Sequence, residues 1–231
     1  MRQEEIKHFK PQHYYTLEIN VKGSTFVYQH EKRIYERAQL EKLAQKVNHA
    51  QALVKKVVTK EKKTYPAPLF NLTDLQQAAY QRYRLGAKQT LNTLQQLYER
   101  HKLVTYPRTD SSYLTTDMVD TLKERIQATM GTEYQPHARG LMNQRFTKQL
   151  PFVNNQKVSD HHAIIPTEVR ANMADLSIQE KKIYLLIVQR FLEALSAPYR
   201  YRETQVEVEL LGKAFVYKSK ETIDMGFKAL Q

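Results

Sequence analysis

The segment Leu103-Val-Thr-Tyr-Pro-Arg-Thr-Asp-Ser111 interrupts the helical patterns in the middle of the chain and decides what this region can form. Proline at position 107 disfavours the helical conformation for the residue before it, so Tyr106 is expected to be extended. Residues two apart in an extended segment project to the same side, which places Tyr106, Arg108 and Asp110 on one face. A guanidinium suits two oxygens of a phosphodiester, and a phenol attacks phosphorus once its proton is removed. The segment therefore predicts a nucleophile beside a phosphate clamp; the alternative is a buried tyrosine next to a surface arginine.

Helical patterns lie on both sides of this loop. The stretches Thr73-Asp-Leu-Gln76 and Ser177-Ile-Gln-Glu180 match the capping box, in which a hydroxyl and a carboxylate or amide three residues later cap the start of a helix. Gly86 is expected to end the first of these helices, and Pro198 the last. The inward-facing residues repeat every three or four positions, at Leu75, Ala79 and Tyr83, at Ala87, Leu91, Leu94 and Tyr98, and at Ile183, Ile187, Phe191 and Leu195.

Similar β-hairpin patterns lie near the two ends of the chain. Residues 15–21 alternate apolar and polar side chains before a Gly23-Ser24 break, and residues 206–210 alternate before a Gly212-Lys213 break. In both copies an aromatic residue follows three positions after the glycine. Such alternation with a glycine pair predicts a β-hairpin with one wet face. Because an isolated hairpin is marginally stable, the two are expected to join one sheet, and the chain between them is then an inserted domain.

These patterns predict an α+β fold of two domains. A β-rich domain is expected to take residues 1–71 and 199–231, and a mostly helical insert that carries Tyr106 is expected to take residues 72–198. Residues 2–8 are predicted to form a charged helical lead-in, so the start at Met1 is expected to be a cut within a longer protein. A further short helix is predicted in the β-rich part, with its inward face at Leu40, Leu43, Ala44 and Val47.

The charge balance is strongly basic. The 231 residues include 36 lysines and arginines against 24 acidic residues, which gives a net charge of +12 and an isoelectric point near 9.6. Such a balance predicts a polyanionic partner, and the charge alone fits nucleic acid or an acidic membrane surface. One lysine cluster forms either an ordinary solvated face or the wall of a groove that follows phosphates. Its members are Lys55, Lys56, Lys60, Lys62 and Lys63.

The composition disfavours several other kinds of site. The chain has no cysteine, so it has no disulfide and no thiolate zinc site. No apolar run approaches the roughly 20 residues that span a bilayer, and no signal peptide is present at the start, so a membrane is not expected as a partner. His161 and His162 are adjacent and lack the i, i+4 spacing of helical metal ligands. No metal held by this chain alone is therefore expected.

Three blocks of the sequence resemble a known family, the type IA DNA topoisomerases. The stretch from Leu97 to Leu114 resembles the active-site segment of that family, in the form with proline after the tyrosine that is typical of topoisomerase III. Pro66-Ala-Pro-Leu-Phe-Asn-Leu-Thr-Asp-Leu-Gln-Gln77 resembles the start of its helical domain, and His161-His-Ala-Ile-Ile-Pro-Thr167 resembles its second active-site motif. The blocks occur in the family's order and rough spacing, and the resemblance runs along essentially the whole chain.

The resemblance implies an isomerase that works without ATP by cutting one DNA strand, passing another and resealing the first. Tyr106 would attack DNA to give a 5′-phosphotyrosine bond and a free 3′-hydroxyl, while Arg108 acts on the scissile phosphate. His161 matches the family's active-site histidine, with a role in either proton transfer or a phosphate contact. Weaker candidates for support of the active site are Glu99, Asp110 and His162.

The family's metal-binding cluster, of the form Asp-x-Asp-x-Glu, has no counterpart in this sequence. In that family the cluster lies in an N-terminal domain called TOPRIM, which holds Mg²⁺. The chain is therefore expected to be an internal piece, inactive alone, whose partners are DNA, chiefly single-stranded, and the remaining domains of the enzyme. The resemblance also implies that the β-rich domain is the family's arch domain and that the protein works in the bacterial cytoplasm, at the nucleoid.

Two other functions fit part of the sequence. A non-catalytic basic module that binds single-stranded nucleic acid would share the charge without the chemistry. A relaxase-type nicking enzyme also uses tyrosine with histidines, but its His-x-His metal site differs from the adjacent His161 and His162. Within the resemblance, Asp110 either orients Arg108 or caps the following turn, and Glu99 either supports the site or is an ordinary exposed helix residue.

Overall fold

The computed structural model describes residues 8–48 and 50–231, so the lead-in predicted at residues 2–8 lies outside the described residues except for its last position. The fold is α+β, as predicted, and the chain forms two compact units. The first unit contains the described residues up to Lys62 together with Arg200–Ile223, and the second contains Lys63–Tyr199 and Asp224–Gln231. None of the helices in the described part is long and apolar enough to cross a bilayer.

A five-stranded sheet with one helix forms most of the first unit. The strands are β1 (Glu18–Val21), β2 (Ser24–Tyr28), β3 (Leu53–Thr64), β4 (Tyr199–Leu210) and β5 (Lys213–Asp224). Their order in the sheet is β1-β2-β5-β4-β3. The predicted joining of the two hairpins is confirmed, because β2 pairs antiparallel with β5 through Val27 and Val216. The predicted short helix is α1 (Arg37–Val47). It contributes to a small core that contains Phe26, Val47, Val208, Leu210 and Phe215.

Each hairpin turns through two residues with a left-handed backbone. In the first turn, Lys22 has a φ of 49° and Gly23 a φ of 82°. In the second turn, Leu211 has a φ of 49° and Gly212 a φ of 71°. This geometry is typical of type I′ turns, whose twist matches that of the flanking strands. The glycine is therefore the second turn residue, whereas the sequence had indicated it as the first, and the residue after it already belongs to a strand.

The second unit is mostly helical. Its helices are α2 (Leu72–Tyr83), α3 (Ala87–Glu99), α4 (Leu122–Ala128), α5 (Gln135–Met142) and α6 (Ile178–Leu195), and shorter 3₁₀ segments are Thr116–Thr121, Thr129–Gly131, Asn155–Lys157, Met173–Asp175 and Gly226–Leu230. The capping box predicted for α6 is confirmed, since Ser177 and Glu180 each accept a hydrogen bond from the other's N–H. The four residues predicted to face inward from α6 are at most 4 % exposed.

Two of the predicted helix-end signals are wrong. The start of α2 is capped by Asn71, whose side chain accepts a hydrogen bond from the N–H of Asp74, so Thr73 lies inside the helix. Asn71 takes this role because the chain reaches it in the extended conformation of an N-cap, with φ −92° and ψ 177°. Gly86 does not end α2, which Arg84 closes with a φ of 58°. Gly86 instead occupies the cap position before α3.

The buried face of α3 is rotated from the predicted one. Of the predicted inward residues, Ala87 is exposed. Thr90 and Thr93 are buried instead, and their burial is possible because each hydroxyl donates to the carbonyl four residues earlier in the helix. The buried residues of α3 are Thr90, Thr93, Leu94 and Leu97.

The second compact unit extends beyond the helical insert predicted from the sequence, and the division into functional domains at residues 72 and 198 stays a prediction. Leu69 and Phe70, each 1 % exposed, pack into the large core of the second unit ahead of α2. Leu230 joins the same core, and its carbonyl accepts a hydrogen bond from Gln189 of α6 at 2.9 Å. The connecting chain before α2 and the last residues therefore pack with the helices.

Candidate active site

Two stretches of the second unit, residues 103–111 and 161–167, run side by side although they are far apart in sequence; we call them the loop pair. Val104 forms an antiparallel bridge with Pro166. The next amide N–H along the chain donates to the carbonyl of Ile165 at 3.0 Å. This pairing brings the motif around the tyrosine next to the motif around the histidines.

Tyr106 lies against His161. Their rings are stacked, with centroids 4.0 Å apart and an angle of 30° between the planes. Tyr98, from the last turn of α3, contacts the ring of Tyr106 edge-on at a centroid distance of 5.6 Å. The Tyr106 hydroxyl forms no hydrogen bond with any other residue that the structure describes. The ring is therefore held by packing, while its oxygen remains available to a substrate.

Side chains along the loop alternate in exposure, as the extended segment predicts. Arg108 and Asp110 are exposed and Tyr106 is half-buried, whereas the odd-numbered positions from Pro107 to Ser111 are buried. Within residues 8–48 and 50–231, the Arg108 guanidinium has no ion pair or hydrogen bond, so it is free to bind an anion. Asp110 pairs neither with Arg108 nor with the backbone of the turn among those residues.

Hydroxyl groups hold the turn in place of Asp110. The Thr105 hydroxyl donates to the carbonyl of Ala163 at 2.9 Å, and the Thr109 hydroxyl donates to the carbonyl of His161 at 3.0 Å. Thr109 also accepts a hydrogen bond from the N–H of Ser111 at 3.1 Å. We did not identify these residues from the sequence, although a Thr-x-Ser spacing is typical of turns closed by side-chain hydroxyls.

A buried arginine anchors the far end of the loop pair. Arg125 of α4 is 7 % exposed and donates to the carbonyl of Pro166 at 2.8 Å and to the hydroxyl of Thr121 at 2.9 Å. It also forms an ion pair with Glu168. Burial lowers the pKa of Arg125, and the Glu168 carboxylate opposes that effect. Because Pro166 pairs with Val104, Arg125 fixes the position of the loop pair relative to α4.

The two remaining candidates, His162 and Glu99, do not contact the stacked rings of Tyr106 and His161 through any hydrogen bond or ring contact in the described part of the chain. His162 Nδ1 lies 2.9 Å from the carbonyl of Ala163. The hydrogen bond with the Thr115 side chain lowers the pKa of Asp117, and the His162 imidazole adds to that effect. Glu99, the last residue of α3, is exposed and has no ion pair with any residue in the described part of the chain. The structure therefore brings together Tyr106 and His161, and it leaves Glu99 and His162 outside their stack.

The lysines predicted to bind DNA lie on β3, all of them exposed. This strand was missed because lysine-rich segments have a weak preference for sheets. Two of the lysines are already paired with carboxylates of β4, Lys62 with Glu203 and Lys55 with Glu209 at 3.4 Å. The lysines without an ion pair to any described residue are Lys56, Lys60 and Lys63.

The described residues contain no group of three or more His, Asp or Glu side chains that are placed to hold a metal ion. The rings in contact with Tyr106, those of Tyr98 and His161, carry no carboxylate, whereas Mg²⁺ takes oxygen ligands that usually include carboxylates. The Mg²⁺ that the resemblance implies therefore does not fit these residues.

Comparisons with known proteins agree with the motifs. The family model described as DNA topoisomerase matches residues 1–231. Over 230 residues the chain is 56% identical to DNA topoisomerase 3 of Staphylococcus aureus strain MRSA252 and 55% identical to that of strain USA300. Each match covers 100% of this chain and 32% of the relative, so the chain spans about a third of the length of these relatives.

A solved structure has a similar fold. Full-length topoisomerase I from Thermotoga maritima superposes with a TM-score of 0.72 at 24% sequence identity, over 99% of this chain and 37% of that one. At this identity the likeness bears on the fold, which is the α+β arrangement described above. The three sequence blocks, the family match along the whole chain and the identity to the staphylococcal relatives agree, and the chain belongs to the type IA DNA topoisomerase family.

Proposed function

We propose that this chain supplies the nucleophile of a DNA topoisomerase and that the nucleophile is Tyr106. The phenol oxygen attacks a phosphorus of one DNA strand, and a bond from phosphorus to the tyrosine forms as the bond to the 3′ oxygen breaks. The phenol proton leaves, and the departing 3′ oxygen gains a proton to become a hydroxyl. Later the 3′-hydroxyl attacks the phosphotyrosine and restores the strand. No ATP is consumed, because the linkage conserves the energy of the phosphodiester bond.

The observation that carries this proposal is the stack of Tyr106 on His161, at 4.0 Å between ring centroids. A phenol is a poor nucleophile at neutral pH unless its proton is taken or its anion is stabilised. An imidazole changes its charge in the neutral pH range, so it suits both tasks. His161 therefore acts either in proton transfer or in a contact with the reacting phosphate.

Arg108 acts on the scissile phosphate. Its guanidinium is exposed, has no ion pair with the described residues, and lies two positions from Tyr106 along the exposed side of the loop. A free guanidinium donates two parallel hydrogen bonds to phosphate oxygens and stabilises the charge that develops there.

The substrate is DNA, chiefly single-stranded, and the lysines of β3 bind its backbone. Lys56, Lys60 and Lys63 contribute more than Lys55 and Lys62, because Glu209 and Glu203 already neutralise the last two. The remaining domains of the enzyme, including a TOPRIM domain that binds Mg²⁺, complete the activity. The protein works on DNA in the bacterial cytoplasm, at the nucleoid.

The test uses the S. aureus relative in which the matching segment has been replaced by this chain, because the chain spans about a third of that protein. A single-stranded oligonucleotide labelled at its 3′ end should give a labelled protein band after denaturation, and the same oligonucleotide labelled at its 5′ end should not. Tyr106→Phe should abolish the band. Its thermal stability should be unchanged, because the removed hydroxyl has no hydrogen bond to the described residues.

Tyr98→Phe is the matched control, since Tyr98 packs against Tyr106 and is not the proposed nucleophile. Oligonucleotide binding by the same proteins should weaken as salt is added: the logarithm of the binding constant should fall with the logarithm of the salt concentration, with a slope of about −0.7 for each phosphate contacted. Binding that does not depend on salt would contradict the role of the lysines. A band retained by Tyr106→Phe would assign the nucleophile elsewhere. Binding without any covalent band in the unsubstituted protein would favour a non-catalytic binding module.

A further inference from the structure

The orientation of His161 depends on its backbone. Its side chain is exposed, and no residue within the described part of the chain forms a hydrogen bond with its ring. The stack on Tyr106 is the ring contact that the structure shows for it. A stack between two rings fixes their separation weakly, because dispersion contacts are individually small. The placement of the imidazole is therefore set by whatever holds the backbone at residues 161–165.

Threonines on both sides of Tyr106 hold that backbone. Thr109 donates to the carbonyl of His161 itself at 3.0 Å. Thr105 donates to the carbonyl of Ala163 at 2.9 Å and accepts a hydrogen bond from the N–H of Ile165 at 3.0 Å. The hydroxyls thus bridge from the chain on each side of the tyrosine to the chain that carries the histidine.

We propose that Thr105 and Thr109 are positioning residues that set the distance and angle between His161 and Tyr106. The proposal rests on the proposed function for its effect on DNA cleavage, although the geometric part does not. Thr109 is 7 % exposed, so water cannot readily replace its hydroxyl when the hydroxyl is removed. The carbonyl of His161 would then lose this hydrogen bond, and the histidine backbone would shift to find another donor.

The first test measures the geometry in this chain by NMR, with labelled histidine and the His161 signal assigned by its loss in His161→Gln. A stacked tyrosine shifts the ring-proton signals of the histidine, and Tyr106→Leu gives the unstacked value. Thr109→Val and Thr105→Val keep the shape of the side chain and remove the hydroxyl, so the His161 signal should move towards the unstacked value. Thr109→Ser should restore it. A His161 signal that is unchanged in both valine variants overturns the proposal.

The matched control is Thr93→Val. Thr93 is also 7 % exposed, and its hydroxyl donates to the backbone carbonyl of Gln89 at 2.9 Å. Thr93 lies within α3, however, and has no hydrogen bond with residues 161–167. This variant should leave the His161 signal in place. A movement as large as that of Thr109→Val would show that general loosening of the unit is responsible and would overturn the specific role.

The second test measures covalent band formation in the exchanged staphylococcal protein. Thr109→Val should slow it by about tenfold to a hundredfold, as expected for a misplacement on the order of 1 Å, while Thr93→Val should not. If the unsubstituted protein forms no band, the proposed function fails, and the NMR result still decides the positioning role. If Thr109→Val does not fold, Thr105→Val and Thr109→Ser decide it by the same measurements.

Discussion

The helix α6 and the loop pair belong to the same compact unit, yet they are held in opposite ways. At the start of α6, Ser177 and Glu180 exchange hydrogen bonds of 2.8 Å and 3.2 Å across three positions of the chain. In the loop pair, Thr109 and His161 are 52 positions apart, and Thr105 reaches a carbonyl 58 positions away. The helix is fixed by its own neighbours in sequence, whereas the loop pair is fixed by single contacts from distant parts of the chain.

Because the two regions are held differently, substitutions in them should change different properties of the protein. A helix repeats the same hydrogen bond many times, so the loss of one cap weakens it without moving its far end. The loop pair has no such series of equivalent hydrogen bonds. The hydroxyls of Thr105 and Thr109 and the guanidinium of Arg125 each bind a different backbone carbonyl, so none of them replaces another. Substitutions in α6 are therefore expected to change stability and to leave the chemistry alone. Substitutions in the loop pair are expected to slow DNA cleavage more than they lower stability.

After the loss of the band expected for Tyr106→Phe, Arg108→Ala should have the largest effect, and this effect should be confined to the rate of DNA cleavage. It should slow covalent band formation by two to three orders of magnitude, if Arg108 supplies the roughly 3 to 4 kcal/mol typical of one group that stabilises a transition-state charge. Thermal unfolding should not change, because the side chain is exposed and has no ion pair with the described residues.

Arg108→Lys is the control, since it keeps the charge and loses the planar fork, and it should recover only part of the rate. An alanine variant as fast as the unsubstituted protein would remove Arg108 from the site. A variant that unfolds at a lower temperature would show that the loop also depends on this residue for stability, which would weaken the contrast with α6.

Arg125→Met should affect both properties, because Arg125 holds the loop pair from within the core. Loss of its hydrogen bonds to Pro166 and Thr121 leaves a carbonyl unsatisfied, so the free energy of unfolding should fall by about 2 to 3 kcal/mol. Band formation should also slow, since Pro166 pairs with Val104, which lies two residues before Tyr106. Chemical denaturation and the covalent band assay measure the two effects.

Glu168→Gln is the matched variant for Arg125, because the Glu168 side chain is 42% exposed and its removal leaves the arginine's hydrogen bonds to Pro166 and Thr121 intact. Glu168→Gln should lower the free energy of unfolding by no more than about 1 kcal/mol, as for other ion pairs open to solvent. If Glu168→Gln destabilises the protein as much as Arg125→Met, the ion pair and not the hydrogen bond to Pro166 anchors the loop pair.

The regular elements were predictable where the signal is local. Both hairpins and the capping box at Ser177 were found because a glycine in a turn and a cap in a first turn act within a few residues. The same local signals failed where two of them competed: Asn71 and Thr73 both offer a cap to α2, and the direction of the incoming chain decides between them. The strand Leu53–Thr64 was missed because its lysines prefer solvent, and pairing with β4 decides its form.

The site was predictable only in part. Pro107 favours an extended backbone, whose alternation places the side chains of Tyr106 and Arg108 on the same side of the loop, and this prediction follows from the backbone alone. That His161 belongs beside Tyr106 came from the resemblance, because no local pattern relates residues so far apart. The hydroxyls of Thr105 and Thr109 gave no usable signal, since their partners are carbonyls that any residue carries.

Ser177→Ala should have the smallest effect, and it should lower stability without changing the rate of DNA cleavage. The loss of one N-cap hydroxyl should cost about 1 kcal/mol near neutral pH, or a fall of roughly 2 to 4 °C in Tm for a chain of this size.

Burial alone would raise the pKa of Glu180, but hydrogen bonds with the Ser177 side chain and backbone, and the imidazole of His101, lower it overall. A carboxyl whose pKa is lower in the folded state stabilises the fold above its unfolded pKa, and that contribution is lost as the pH falls through the folded value. The unsubstituted protein should therefore lose stability on acidification faster than Glu180→Gln, in which this group no longer titrates. Tm measured by circular dichroism from neutral to acid pH tests both statements, and parallel curves for the two proteins would show that the capping box does not carry this pH dependence.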